Sequence, residues 1–294
     1  MKKFLSIMMV LALVFSLAAC GNNENPKSDK EEINSQMDSV EDIIKEEIED
    51  VKEEIPSMVT ADEADFATED NATGVTITDY TGTETAIVIP ATINGKAVTE
   101  IGTRAFEKSA LTAVEIPDSV TIVNDFAFFY SSAILYVKCG KGLKTIGAEA
   151  FEGCYSMFRF DANEGLTSIG YCGFGMCQNL KEFVIPTTVT NIGSAAFGFS
   201  GLKEIVVPGS VKNIEDAVFT HCSELKKVVF LDGVEVLGSG LFELNNNLKE
   251  IYVPATAKEI DINAFVNCDA TIVGEEGSEA QRIANEYQLD FKKK

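Results

Sequence analysis

One phenylalanine recurs along most of this 294-residue chain: Phe106, Phe128, Phe151, Phe174, Phe197, Phe219, Phe242 and Phe265. The steps between them are 22, 23, 23, 23, 22, 23 and 23 residues. A unit that short cannot bury its own apolar side, so repetition at this period specifies a solenoid of stacked coils. The rest of each unit keeps phase with its Phe. An aliphatic lies five residues before it, from Ile101 to Ile260, and another apolar residue lies eight before, from Val98 to Ala257. A small or aliphatic residue immediately precedes it, as Ala105, Ala127 and Ala150 do.

After the Phe comes an alternating run such as Leu202 to Pro208 or Leu248 to Pro254. Its inward positions are Leu202, Ile205 and Val207, then Leu248, Ile251 and Val253. Each such run is expected to form one short parallel strand that stacks on the next at roughly 4.7–4.9 Å. Pro117, Pro186, Pro208 and Pro254 end the strand, because proline cannot donate to a ladder. The Ala-Phe step suits a turn-like return on the outer side.

The units, Val189 to Pro208 for instance, resemble the BspA-like leucine-rich repeats of bacterial surface proteins. Residues 74–102 resemble the hairpin that opens such arrays, and residues 271–291 resemble the closing helix and strand. The expected organisation is a signal peptide over 1–19, an acidic helical spacer over 20–65 and an N-terminal β-hairpin cap over 66–97. Eight leucine-rich repeats over 98–273 and a C-terminal helix and strand cap over 274–294 complete it. Asn163, Gly140, Leu231 and Val273 replace the proline in some units, and Phe158 and Asp161 are expected to disturb the third strand.

Lys2 and Lys3, an apolar run from Phe4 to Leu17 and the sequence Leu17-Ala-Ala-Cys20 form a secretory signal with a lipobox-like end. Small residues at Ala18 and Ala19 suit a peptidase, and Cys20 offers a thiol for lipidation. Acyl chains there would anchor the chain to a bacterial membrane at about 0.8 kcal/mol per buried CH2. The alternative is a plain cleavage site with a chance cysteine.

Over residues 28–55 the apolar residues Ile33, Met37, Val40, Ile44, Ile48, Val51 and Ile55 keep to one helical stripe, with Ser28 and Glu31 as a capping box and Pro56 as the stop. This helix reads either as a solvated spacer or as a seam for weak self-association of two chains. The formal charge of −22 excludes nucleic acid as a natural partner, since phosphates are held by Lys and Arg.

Seven cysteines in an exported chain suggest disulfides. Their register points instead to core thiols: Cys154, Cys177, Cys222 and Cys268 each lie three residues after a Phe, Asn245 fills that slot in the seventh unit, and Cys139 is inward. Cys172 has no clear setting. His221, the one histidine, sits in a return loop. No nucleophile elbow, phosphate loop or paired metal-ligand motif is present, so no catalytic residue, cofactor or metal is expected.

Alternation then gives the outward strand positions, from Ala113 and Glu115, Tyr136 and Lys138, and Arg159 and Asp161 onward. The candidate ligand face is Glu182, Val184, Glu204, Val206, Lys227, Val229, Glu250 and Tyr252. The family resemblance implies adhesion: a lipid-anchored surface protein that binds a macromolecule, a protein by analogy. A structural or assembly factor inside the envelope is the alternative.

Overall fold

The computed structural model describes residues 55–294. Cys20 and all of the 28–55 helix except Ile55 lie outside them. The described part is a parallel solenoid closed by a C-terminal helix, and its axis is the phenylalanine column. All eight rings are buried, and successive rings stack with centroids 4.8, 5.0, 5.5, 5.5, 6.0, 6.2 and 5.8 Å apart. Offset-parallel rings at these distances give a dispersion contact as well as burial. Around them lie the other apolar positions, from Val98 and Ile101 to Ala257 and Ile260, in one continuous core.

Each coil but the fourth carries two strands, not the single one expected. The first ladder is the alternating run, as in Ala113–Glu115, Tyr136–Lys138 and Arg159–Asp161, then Glu204–Val207, Lys227–Phe230 and Glu250–Tyr252. The second ladder is formed by the pair ending at the aliphatic five residues before each Phe, such as Ile122–Val123, Thr145–Ile146 and Ser168–Ile169. A two-residue strand has too little alternation to announce itself in sequence.

A third ladder runs through the turns around each Phe. From unit two to unit six, the N–H groups two before the Phe, at the Phe and two after it donate to the next coil. Phe126, Phe128 and Tyr130 donate to the carbonyls of Ala148, Ala150 and Glu152 at 2.9, 2.7 and 2.7 Å. This geometry puts residues two before and two after the Phe in the left-handed region, among them Phe126, Tyr130, Ala195, Phe199, Ala217 and His221 at φ of 54–60°. An L-residue there costs roughly 1–2 kcal/mol, which the inter-coil bonds must offset.

The irregular unit is the fourth, not the third. Arg159–Asp161 pairs in register with Tyr136–Lys138, whereas residues 181–185 form no strand and the first ladder stops and restarts around them. Phe160 and Phe183 occupy inward slots held by Val114, Val137, Ile205 and Val228 elsewhere, and their rings stack at 5.8 Å. Two rings in consecutive slots need more room than the strand step of about 4.8 Å provides. The second ladder also breaks, between Asn191–Ile192 and Asn213–Ile214. The turn ladder crosses both breaks: Phe174 donates to Ala196 at 2.8 Å and Phe197 to Val218 at 3.1 Å.

At the N-terminal end, Phe66–Asp70 and Val75–Tyr80 form the antiparallel hairpin, which lies parallel against Lys96–Ile101. Val59–Thr60 pairs with Ala86–Val88, so the folded cap begins before residue 66 and takes in part of the expected spacer. At the other end Ser278 caps the helix Glu279–Tyr287 by accepting from the Gln281 N–H at 3.4 Å. Ala280, Ile283 and Ala284 turn to the core, and Phe291–Lys293 adds the last rung against Thr271–Gly274.

Candidate functional site

The first ladder exposes one face of side chains, and strand pairing sets Val206, Val229 and Tyr252 in one row and Glu204, Lys227 and Glu250 in the next. Val184 is 55% exposed but lies in the fourth unit, outside any strand, as does Glu182. Val206, Val229 and Tyr252 are half-buried. Ala113 and Tyr136, expected outward and open, are buried. The Tyr136 hydroxyl donates to Asp161 at 2.6 Å, the Arg159 guanidinium bonds the same carboxylate at 2.7 Å, and Arg159 also lies over the Tyr136 ring. Burial first, then the Asp161 bond, pushes the Tyr136 phenol well up.

Most charges on this face are matched. Lys138 meets Glu115 at 2.8 Å, and Lys292 of the closing strand meets Glu250 at 3.6 Å. The Lys227 ammonium lies 4.6 Å from the Tyr252 ring centre, and the Tyr252 hydroxyl donates to Glu250 at 3.2 Å. Burial raises the Glu204 carboxyl above its ordinary value, Lys227 and Lys226 pull it down, and Glu250 raises it. The face therefore presents a shallow apolar row beside charges of both signs, suited to a macromolecular surface rather than to a buried small molecule.

Five of the six described cysteines are core residues. Cys139, Cys154, Cys177, Cys222 and Cys268 are buried and free, and Cys172 is half-buried and free. The slot three residues after the Phe supplies a donor to the preceding coil, where its side chain bonds the Phe carbonyl. Ser131 bonds the Phe106 oxygen at 2.5 Å, Cys154 that of Phe128 at 3.4 Å, Cys177 that of Phe151 at 3.2 Å, Cys222 that of Phe197 at 3.1 Å and Asn245 that of Phe219 at 2.8 Å. A buried carbonyl needs a donor, and any small donor serves, which is why Ser, Cys and Asn interchange here. Burial pushes the Cys222 thiol up to about 11, against opposing hydrogen bonds from Ser200, so it stays protonated and inert.

On the turn face, burial and then a hydrogen bond and repulsion from Glu149 push the Glu152 carboxyl up to about 7, from an ordinary 4.5. The folded chain thus holds a proton there that the unfolded chain releases, so this group lowers stability as pH rises from about 4.5 to 7. Glu152→Gln is expected to flatten that part of the pH dependence. Urea midpoints measured across the window check it, and parallel wild-type and variant curves would refute it. His221 stacks on Phe199 with centroids 4.2 Å apart and bonds the Thr220 hydroxyl at 2.8 Å, a packing role with no carboxylate partner. Among the described residues no cluster of three His, Cys, Asp or Glu is arranged to hold a metal, and no helix is long and apolar enough to cross a membrane.

Coils of 22–23 residues, two short parallel strand ladders, a stacked Phe column and a buried Ser/Cys/Asn donor ladder define a leucine-rich repeat solenoid. The model of the BspA type leucine rich repeat region matches in six copies, over residues 99–223 and 144–272, and the chain belongs to that family. Among solved structures, a leucine rich repeat protein of T. pallidum is 30% identical, with a TM-score of 0.59 over 65% of this chain and 91% of that one. A leucine rich cell surface protein of Faecalibacterium prausnitzii is 20% identical, with a TM-score of 0.34 over 78% of this chain and 98% of that one. The pneumococcal vaccine antigen PcpA is 18% identical, with a TM-score of 0.40 over 71% of this chain and 74% of that one. No curated protein matches.

Proposed function

We propose that this chain is a non-enzymatic binding protein that works at the bacterial cell surface, adhesin-like, held there by lipid on Cys20. The reading rests on the repeat itself. A solenoid of this family devotes its sequence to a long regular surface and gathers no nucleophile, acid–base pair or metal site among the described residues. The ligand is a macromolecule, a protein on family grounds. Its contact row is Val184, Val206, Val229 and Tyr252, bordered by Glu182, Glu204, Lys227 and Glu250. Tyr252 offers ring area and a hydroxyl, and its Lys227 and Glu250 partners hold it in one orientation, which reduces the entropy lost on contact.

Two outcomes test this. A Val206→Lys, Tyr252→Ala double variant is expected to lose about 1–2 kcal/mol or more of affinity for a partner captured by the wild-type chain, with an unchanged thermal midpoint. Wild-type affinity by titration calorimetry would remove the site from this face. Cys20→Ala is expected to move the protein from the membrane fraction to the soluble fraction. A variant that sediments with membranes at the wild-type level would overturn the anchor.

A further inference from the structure

Of seven large apolar side chains exposed among the described residues, five lie on the turn face: Tyr171, Phe199, Leu244, Ile262 and Val266. The densest feature there is the column two residues after each Phe. In units two to seven it reads Tyr130, Gly153, Met176, Phe199, His221 and Leu244, all left-handed at φ of 55–73°. The first five N–H groups each donate to the following coil, which holds the side chains in line. The Tyr130 ring lies over Gly153, where a Cβ would come within 3.0 Å of it, and the Tyr130 hydroxyl reaches the Met176 sulfur at 3.7 Å. Phe199 stacks on His221, and Phe199 and Leu244 are 47% and 44% exposed. Glycine suits this backbone without strain, yet one position in six is glycine, and Phe199 and Leu244 stay about half exposed there.

Charge says what would cover the column. The turn segments 124–133, 147–156, 170–179, 193–202, 215–224, 238–247 and 261–270 hold nine Asp or Glu and no Lys or Arg. The bases of these units lie elsewhere, Lys138, Arg159 and Lys227 on the first ladder among them. Glu149 and Glu152 hydrogen-bond each other and no cation answers them. A second copy of this chain, with the same acidic face and a charge of −22, is repelled. We propose that the column is a docking strip for an extended cationic polypeptide segment. Its apolar side chains would lie on Phe199, His221 and Leu244, and its Lys or Arg side chains would meet Glu149, Glu152 and Glu243. This strip is separate from the strand face.

The probe is a dye-labelled dodecapeptide alternating Lys with Leu and Phe, titrated onto the full-length chain by fluorescence anisotropy, beside a counterpart with Glu in place of Lys. Phe199→Ser with Leu244→Ser leaves the charge untouched and removes only exposed side chains. It is expected to weaken binding about tenfold or more with circular dichroism unchanged. Glu149→Gln with Glu152→Gln is expected to weaken binding and flatten its salt dependence. Val59→Ser, exposed at the N-terminal cap, should bind as wild type. Undiminished binding by the Phe199, Leu244 variant would reduce the interaction to general attraction by an acidic protein and overturn the strip. Equal binding of the Glu peptide, or displacement of the Lys peptide by a neutral hexasaccharide, would overturn the cationic occupant.

Discussion

Phe197→Ala is expected to lower the unfolding free energy by about 3–5 kcal/mol, the usual cost of emptying a large buried aromatic site. The ring is fully buried, stacked between Phe174 at 5.5 Å and Phe219 at 6.0 Å, with the edge of Phe183 at 5.0 Å. Its backbone is covered by inter-coil bonds, so the site has little freedom to collapse. Its position adds to the effect. The first strand ladder is interrupted at unit four and the second between Ile192 and Ile214, so only one strand ladder spans each of these interfaces, and the Phe column and turn ladder run through both. A solenoid is stabilised by nearest-neighbour interfaces, so a cavity at this junction should also reduce cooperativity, seen as a lower denaturant slope. Urea melts of the two chains decide it: a loss under about 1 kcal/mol with an unchanged slope would show that the ring column does not hold these interfaces together.

Asn245→Leu is expected to destabilise by about 2–3 kcal/mol, and Asn245→Cys by less than about 1 kcal/mol. The Asn245 amide donates to the buried Phe219 carbonyl at 2.8 Å, and its own side-chain oxygen is buried with no partner. Leucine has similar bulk but no donor, so it leaves the carbonyl unpaired in an apolar setting. Cysteine restores the donor used by Cys154, Cys177 and Cys222 and removes the orphan oxygen. Hydrophobicity alone would rank leucine as the better core residue. Equal thermal shifts for the two variants would show that the slot selects for size rather than for a donor.

The turn face and the strand face differ in kind. On the strand face Glu115, Asp161 and Glu250 have basic partners, while on the turn face Glu149 and Glu152 have only each other. That contrast follows from where the repeat places its bases, beside the alternating run and away from the Phe turns from the second unit on.

The period of the Phe, with apolar residues five and eight before it and one immediately before, determined the fold class, the inward strand positions and the burial of Cys154, Cys177, Cys222 and Cys268. Each of these is a one-dimensional property, because in a stack a residue's environment is set by its phase in the repeat and its neighbours are its own equivalents. The candidate row Val206, Val229 and Tyr252 was legible for the same reason: alternation fixes which side chains turn outward. Only the tertiary structure decided the rest. That Tyr136 is buried depends on Arg159 and Asp161 in the next coil, and that the fourth unit loses its strand depends on two rings meeting across coils. The two-residue strands and the left-handed turns carry no local propensity. They exist because N–H and carbonyl groups one coil apart must pair, a demand that arises only once the coils are stacked.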